Sequence, residues 1–376
     1  MYKCLEVQVP TKPLKLVEKP IPVPPSRGMV IKTGAAAICN SDIPIADNYL
    51  NMSDTSEDKS ITQYDPDFKY PVVLGHEVAG TVYSIGEGRC PGSDEFNVGD
   101  RVAVYTLQGC QECRTCTSGN HLLCPKRTSQ TLGKGKNGGY AEYVSVPNRK
   151  FVFKLPDSIA MDAACMFSCS ALTAYNAVTR TKPAIANALK MLGSATLLII
   201  GAGGLGQWAI QIARAVLPRE TKILVADITE ERLAVVKESV DMTIRWSADE
   251  DDMTFMERVA EVTGNGPLVE ASIDFVGAPA TTKRAVWLAN KGSTHCIVGL
   301  FGGDTTFPVP FVPCKMIDIH GIYLGSTQQM QEVIQLAAEG KIRPPPLEHV
   351  TLDGVNDALD KLRKGQIKGR AIITFD

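Results

Sequence analysis

The chain has 376 residues, of which 44% are hydrophobic and 21% charged, and its formal net charge is −2. That length suggests two domains of ordinary size, and the near-neutral balance, with no run of Lys and Arg, excludes a nucleic-acid-binding stripe. Eleven cysteines, several at metal-ligand spacing and with no signal peptide before them, suit a reducing cytoplasm better than a secreted disulfide scaffold. The most apolar stretch, 195–216, holds four glycines together with Gln207, Gln211 and Arg214. It reads as a buried strand turning into a helix and not as a membrane span.

Residues 1 to about 155 carry short β-like runs punctuated by Gly and Pro, among them 29–32, 71–74 and 101–105. They predict a compact, barrel-like β domain. The segment from Asn48 to Asp67 is polar and acidic, with Ser53, Asp54, Thr55, Ser56, Glu57, Asp58 and Lys59 in a row. It reads as a solvated loop, with a place over the mouth of a site as the sharper expectation. Tyr105, Thr106 and Leu107 then lead into a cysteine cluster and are candidates for a pocket wall.

That cluster, Cys110, Cys113, Cys116 and Cys124, has the spacing C-x2-C-x2-C-x7-C in a polar, Gly-containing segment. Four thiolates this close can enclose one tetrahedral zinc, and a closed site of this kind stabilises without catalysing. An iron–sulfur cluster is the rival reading, since Pro125 follows Cys124. The ferredoxin pattern has three residues in the last gap, where this chain has seven.

From about residue 160 strands alternate with helices. Strands are expected over 196–200, 223–226, 271–275 and 295–298, and helices over 205–216 and 228–240. This is the signature of a doubly wound parallel sheet. The tail predicts helices over 328–339 and 355–364 and a closing strand over 370–375.

The first strand runs into Gly201-Ala202-Gly203-Gly204-Leu205-Gly206. A G-x-G-x-x-G that follows a strand and opens a helix is a dinucleotide fingerprint. Gly201 permits the turn, Gly203 lets a pyrophosphate approach, and Gly206 lets helix and strand pack closely, with the helix N-terminus facing the anion. The second strand ends at Asp227, whose carboxylate suits the two ribose hydroxyls and repels a 2′-phosphate, which favours NAD over NADP. Arg232 is a candidate to help hold the ribose.

Two further fragments are weak alone. They are Ile38-Cys39-Asn40-Ser41-Asp42 and Gly75-His76-Glu77-Val78-Ala79-Gly80, the latter followed by Gly86 as in G-H-E-x2-G-x5-G. Together with the cysteine cluster and the dinucleotide turn, in this order, they make the chain resemble the zinc-dependent, medium-chain alcohol dehydrogenase family over essentially its whole length. The resemblance implies an α/β protein with a GroES-like, β-rich catalytic domain over 1–159, a doubly wound Rossmann domain over 160–322 and a C-terminal return over 323–376. It implies two zinc ions per subunit and NAD. Cys39, His76 and Cys169, the last in Cys169-Ser170-Ala171-Leu172-Thr173-Ala174-Tyr175, would hold the catalytic ion, with Glu77 able to approach it. Asp42 would orient His76, and Ser41 would bond the substrate oxygen. Thr173, Val276, Gly299 and Leu300 would line the cofactor cleft, and Arg370 would meet the pyrophosphate. Where many members carry a relay histidine this chain has Pro44, which moves no proton.

The implied activity interconverts primary or secondary alcohols with aldehydes or ketones, by zinc acting as a Lewis acid on the alcohol oxygen and hydride transfer to the nicotinamide. A polyol dehydrogenase or a specialised NADH-dependent carbonyl reductase is the alternative within the fold. A catalytically inactive NAD- and zinc-binding protein is the alternative of another class. The expected partner is a small molecule, with neither nucleic acid nor membrane, in a homodimer or homotetramer paired through the strand around 317–322.

Overall fold

The computed structural model describes residues 1–55, 59–90, 95–247, 250–264, 266 and 268–375. Ser56, Glu57 and Asp58 of the acidic run lie outside the described residues. Met29–Ile38 is the spine of a seven-stranded sheet, antiparallel to Glu77–Ile85 on one side and to Arg370–Thr374 on the other. Arg101–Val104, Val152–Lys154, Tyr143–Val146 and Leu347–Val350 complete it. The spine's Ala35, Ala36 and Ala37 are all buried. Small side chains there let neighbouring elements pack closely from both faces. A smaller sheet of Lys15–Lys19, Tyr2–Val7 and Val72–Val73 lies at the start of the chain.

The second large sheet has six strands, all in parallel pairs. Their order is Met242–Arg245, Thr221–Asp227, Ala195–Ile200, Val269–Asp274, Ala289–Ile297 and Asp318–Gly321. All six residues of Ala195–Ile200 are buried, as expected of a strand with helices on both faces of its sheet. The chain runs outward from this strand first one way and then the other. The crevice at its carboxyl end is the switch point where ligands bind in such sheets, and Gly201 to Gly206 sit there.

The helix after that turn is Gly204–Val216, and Glu230–Val236 follows the second strand. The latter is shorter than the expected 228–240, because the chain tightens into a 3-10 turn over Lys237–Ser239. The helix Ser170–Leu192 was not expected. It runs 23 residues with Pro183 inside and ends on Gly193 in the left-handed region, at φ 71°. It carries the chain from Cys169 to the first parallel strand. Among the described residues no helix is long and apolar enough to cross a membrane.

Two long-range ties connect the sheets. Arg370–Thr374 returns the C-terminal segment to the spine strand, as the closing-strand expectation had it. The loop before residue 56 clasps the segment that follows Gly299. Ser53 Oγ and Asp54 N donate to Asp304 Oδ2 at 2.7 and 2.8 Å, and Asp304 N donates back to Asp54 Oδ2 at 3.1 Å. Gly302 has φ +91°, and a Cβ there would lie 2.2 Å from Asn51 O. Only glycine meets both conditions.

Candidate active site and metal centres

Cys39 follows the spine strand, His76 immediately precedes and Glu77 begins its neighbour, and Cys169 precedes the long helix. Sheet register brings Ala37 opposite Glu77, so residues far apart in sequence meet at one end of the sheet. One ligand atom from each of Cys39, His76, Glu77 and Cys169 lies within 4.8 Å of all the others. His76 and Glu77 are fully buried and Cys39 nearly so.

Neighbouring side chains hold these four in place. His76 Nδ1 lies 2.8 Å from Asp42 Oδ1. Asp42 Oδ2 accepts from Cys39 N at 2.9 Å and from Tyr140 Oη at 2.8 Å. With its proton held at Nδ1 by Asp42, the imidazole turns Nε2 toward the cluster. Ser41 Oγ lies 3.2 Å from that Nε2 and 3.4 Å from Cys39 Sγ. Ser170 N donates to Glu77 Oε1 at 3.1 Å, and Arg370 pairs with Glu77 Oε2.

The electrostatics of the cluster favour positive charge at its centre. Burial alone would lower the His76 pKa, but the Asp42 carboxylate outweighs it and raises it to about 10. Hydrogen bonding from Cys169 holds the Cys39 thiol well below its usual range, with that of Cys169 raised in turn. Burial pushes the Glu77 carboxyl up to about 7 against the pull of Arg370. Two thiols, an imidazole and a carboxylate arranged in this way are a donor set that fits zinc.

The other cysteine group also converges, with ligand atoms of Cys110, Cys113, Cys116 and Cys124 within 4.8 Å of one another. Backbone N–H groups point at the sulfurs: Cys110 N lies 3.4 Å from Cys124 Sγ and Cys113 N 3.3 Å from Cys110 Sγ. Gly109, at φ +60°, is where the chain enters this lobe, and a Cβ there would lie 2.6 Å from Cys116 Sγ.

A cleft of about 200 Å³ opens at the switch point. Gly201, Gly203, Gly204, Leu205, Gly206, Asp227, Arg232, Val276 and Arg370 line it. Thr173, Gly299 and Leu300 are not among its walls. Thr173 is buried one turn past Cys169, Gly299 packs on the Val276 backbone, and Leu300 is largely exposed. Asp227 Oδ2 accepts from Ala202 N at 2.8 Å, and its Oδ1 accepts from Thr229. Arg370 spans both sites. Its stem passes Gly204, where a Cβ would lie 2.8 Å from Arg370 Cδ, and its guanidinium ends on Glu77. Its Nε is buried without a partner among the described residues. An unsatisfied guanidinium N–H beside a phosphate-binding turn fits a pyrophosphate.

Comparison with known proteins agrees with this geometry. Residues 26–157 match the alcohol dehydrogenase GroES-like domain, and residues 204–339 match the zinc-binding dehydrogenase family. An NAD-dependent alcohol dehydrogenase of Sulfurisphaera tokodaii is 31% identical, with 96% of each chain covered. The chain belongs to the zinc-binding, GroES-like alcohol dehydrogenase family. A second NAD-dependent alcohol dehydrogenase, from Saccharolobus solfataricus, is 32% identical, again over 96% of each chain. The crystal structure of the alcohol dehydrogenase from Aeropyrum pernix superposes with a TM-score of 0.82 at 25% identity, covering 99% of this chain and 100% of that one. The GroES-like plus Rossmann architecture expected from the sequence is therefore the fold of this family member.

Tyr140 is a residue that sequence reasoning missed. It is fully buried and holds Asp42, yet in sequence it is one more aromatic beside Gly138 and Gly139.

Proposed function

We propose that this family member is an NAD-dependent zinc alcohol dehydrogenase that interconverts primary or secondary alcohols with aldehydes or ketones. The observation that carries the reading is the convergence of Cys39, His76, Glu77 and Cys169 within 4.8 Å, joined through Arg370 to the dinucleotide cleft. Bound at these two places, zinc supplies a Lewis acid for an alcohol oxygen and NAD supplies the hydride acceptor.

The chain's own residues divide the remaining work. Cys39, His76 and Cys169 are the proposed zinc ligands, and Glu77, held by Arg370 and Ser170 N, is the carboxylate within reach when substrate is absent. Asp42, itself fixed by Tyr140, keeps the His76 proton at Nδ1 so that Nε2 keeps its lone pair. Ser41 Oγ, within 3.4 Å of two of the proposed ligands, is placed to accept the proton of a substrate hydroxyl while giving up its own. Pro44 cannot pass that proton onward, so it leaves by another route. At the cofactor end, Asp227 accepts hydrogen bonds from the ribose hydroxyls and disfavours a 2′-phosphate, with Arg232 beside it. Arg370 and the turn of Gly203, Gly204, Leu205 and Gly206 take the pyrophosphate. Thr173, Val276, Gly299 and Leu300 are proposed around the remainder of the cofactor. Cys110, Cys113, Cys116 and Cys124 hold the second, structural zinc.

The same reading divides the chain at 159 and 322 and assembles it as a homodimer or homotetramer. The Asp318–Gly321 strand, at the open end of the parallel sheet, is the proposed pairing edge, supported by the exposure of Met316 and Ile319 near it. Eleven cysteines, none of them in a disulfide, favour a reducing cytoplasm.

Elemental analysis of the wild type and of Cys39→Ser, with NADH formation measured on a panel of alcohols, tests the proposal. Two zincs per subunit falling to one, with loss of alcohol oxidation, is the expected outcome. One zinc in both proteins would sink it.

A further inference from the structure

A buried lysine with no counter-ion among the described residues lies beside the proposed zinc site. The turn that carries it, Thr131 to Lys136, is wound on a single carbonyl. Thr131 O accepts from the N–H groups of Lys134, Gly135 and Lys136 at 3.2, 3.1 and 3.0 Å. Gly133 presses this turn onto the strand entry that bears His76, since a Cβ at Gly133 would lie 2.3 Å from Gly75 and 2.6 Å from His76 N. The next side chain, Lys134, is 9% exposed and makes no hydrogen bond or ion pair with any described residue. Its ammonium lies 5.9 Å from the centre of the Tyr323 ring, and the Arg127 guanidinium lies 4.1 Å from the same centre. Two cations therefore share one aromatic ring. The Tyr323 hydroxyl makes no hydrogen bond with a described residue either.

A lysine buried to this degree ordinarily finds a carboxylate, because desolvating an unpaired ammonium is costly. The acidic side chains that face Lys134 are Tyr323 and then Cys169, Cys39 and Asp42. Cys169 and His76 in turn act on Tyr323, so ring and ammonium both stand within electrostatic reach of the proposed ligands. Two of the four groups facing Lys134 are the thiols assigned to zinc, and a third, Asp42, is engaged with His76 and Tyr140. A divalent ion bound by those thiols takes up their charge and leaves Lys134 with no free thiolate or carboxylate among these groups, only the Tyr323 phenol.

We propose that Lys134, seconded by Arg127 across the Tyr323 ring, recognises an anionic group on the substrate, so that the alcohol or carbonyl compound turned over carries a carboxylate or phosphate at a distance from its reacting carbon. This rests on the alcohol dehydrogenase reading and narrows its substrate class. Lys134 and Arg127 are then specificity residues, which act on the far end of the substrate and not on the carbinol.

The test uses the zinc-loaded full chain with NAD and three matched families of alcohol. These are ω-hydroxycarboxylates of four to six carbons, the monophosphate esters of the corresponding diols, and the neutral diols themselves. Wild type is expected to favour one anionic family over the diols by about tenfold or more in kcat/KM, mainly through KM, as one charge-assisted contact would give. Which family wins identifies the anion as carboxylate or phosphate. In Lys134→Met that ratio falls toward one, and Lys134→Arg restores most of it. Arg127→Gln lowers the ratio by a smaller factor, and serves in its place should Lys134→Met fail to fold.

A second readout does not depend on turnover. Glutarate or butyl phosphate raises the melting temperature of the zinc-loaded wild type and leaves that of Lys134→Met unmoved. Equal kcat/KM for anionic and neutral alcohols, or a ratio and an additive shift that survive Lys134→Met, overturns the proposal. Stabilisation by either anion with no alcohol oxidised at all leaves the anion site standing and removes the dehydrogenase reading beneath it.

Discussion

Gly203 and Gly206 lie three residues apart and answer to different constraints. A Cβ on Gly206 would fall 1.9 Å from Gly201 O, so its bareness serves the fold. A Cβ on Gly203 would meet no protein atom within 4 Å, and its φ of −73° is open to any residue. Nothing among the described residues asks for glycine there, and the proposed pyrophosphate contact supplies a reason. Gly203→Ala should melt like the wild type and raise KM for NAD about tenfold or more, read by thermal melting and initial rates. Gly206→Ala should lose at least about 2 kcal/mol of stability through forced backbone movement. Equal behaviour of the two variants would refute the division. At this scale the motif residues were legible, because a fixed spacing carries a fixed geometry. Cys39, His76 and Cys169 gained meaning only in company, and the structure brings them to one point. Tyr140 and Lys134 were illegible for the opposite reason. Each acts through a neighbour supplied by the three-dimensional packing, and no spacing announces it.

The cysteine lobe shows the same contrast at the scale of an element. Its only regular structure among the described residues is one turn of helix, Arg114–Thr117, and a 3-10 turn, His121–Leu123. So little secondary structure depends on a cross-link. Cys124→Ser should bring zinc from two ions per subunit to one and lower Tm by several degrees or more, while Cys39→Ser loses the other ion with a smaller effect on Tm. A Tm untouched in Cys124→Ser would mean that the lobe is held by something else. The alternating strands and helices were readable from period and punctuation, yet the longest helix, Ser170–Leu192, was not. The run Thr179-Arg180-Thr181-Lys182-Pro183 reads as a break, since an interior proline removes a donor and crowds the preceding turn. Packing overrides that local preference here. Leu172, Ala174, Ala177, Val178 and Ile185 are all buried, and tertiary burial of one face supplies most of a helix's stability.

For the whole molecule, acid is the revealing stress. His295 lies on the fifth strand of the parallel sheet, fully buried, with Nδ1 2.8 Å from Ser272 Oγ and Nε2 without a partner among the described residues. Burial lowers its pKa to about 4, with Asp274 opposing. An unfolded histidine titrates near 6.5. Between those values the unfolded chain holds a proton that the folded chain refuses. The stability tied to neutral His295 is therefore complete above about pH 6.5 and is lost as pH falls toward 4, on the order of 3 kcal/mol in all. His295→Asn should narrow its stability gap to wild type across that window, measured as Tm against pH. A gap constant from pH 7 to pH 4 would contradict the assignment.

The reciprocal clasp of Asp54 and Asp304 has a kinetic consequence. It fastens the polar loop after Cys39 to the segment that follows Gly299, whose backbone packs on Val276 of the nucleotide crevice wall. A nucleotide leaving that crevice by separation of the two lobes must first undo three hydrogen bonds that do not touch it. Dwell time, and not affinity alone, then comes under the control of a surface loop. Asp304→Ala should release NADH faster in stopped-flow fluorescence and raise kcat wherever cofactor departure limits turnover. An unchanged off-rate would leave the loop as a cover and not a clock. A faster release in that variant would make the loop before residue 56 a determinant of how long each turnover lasts.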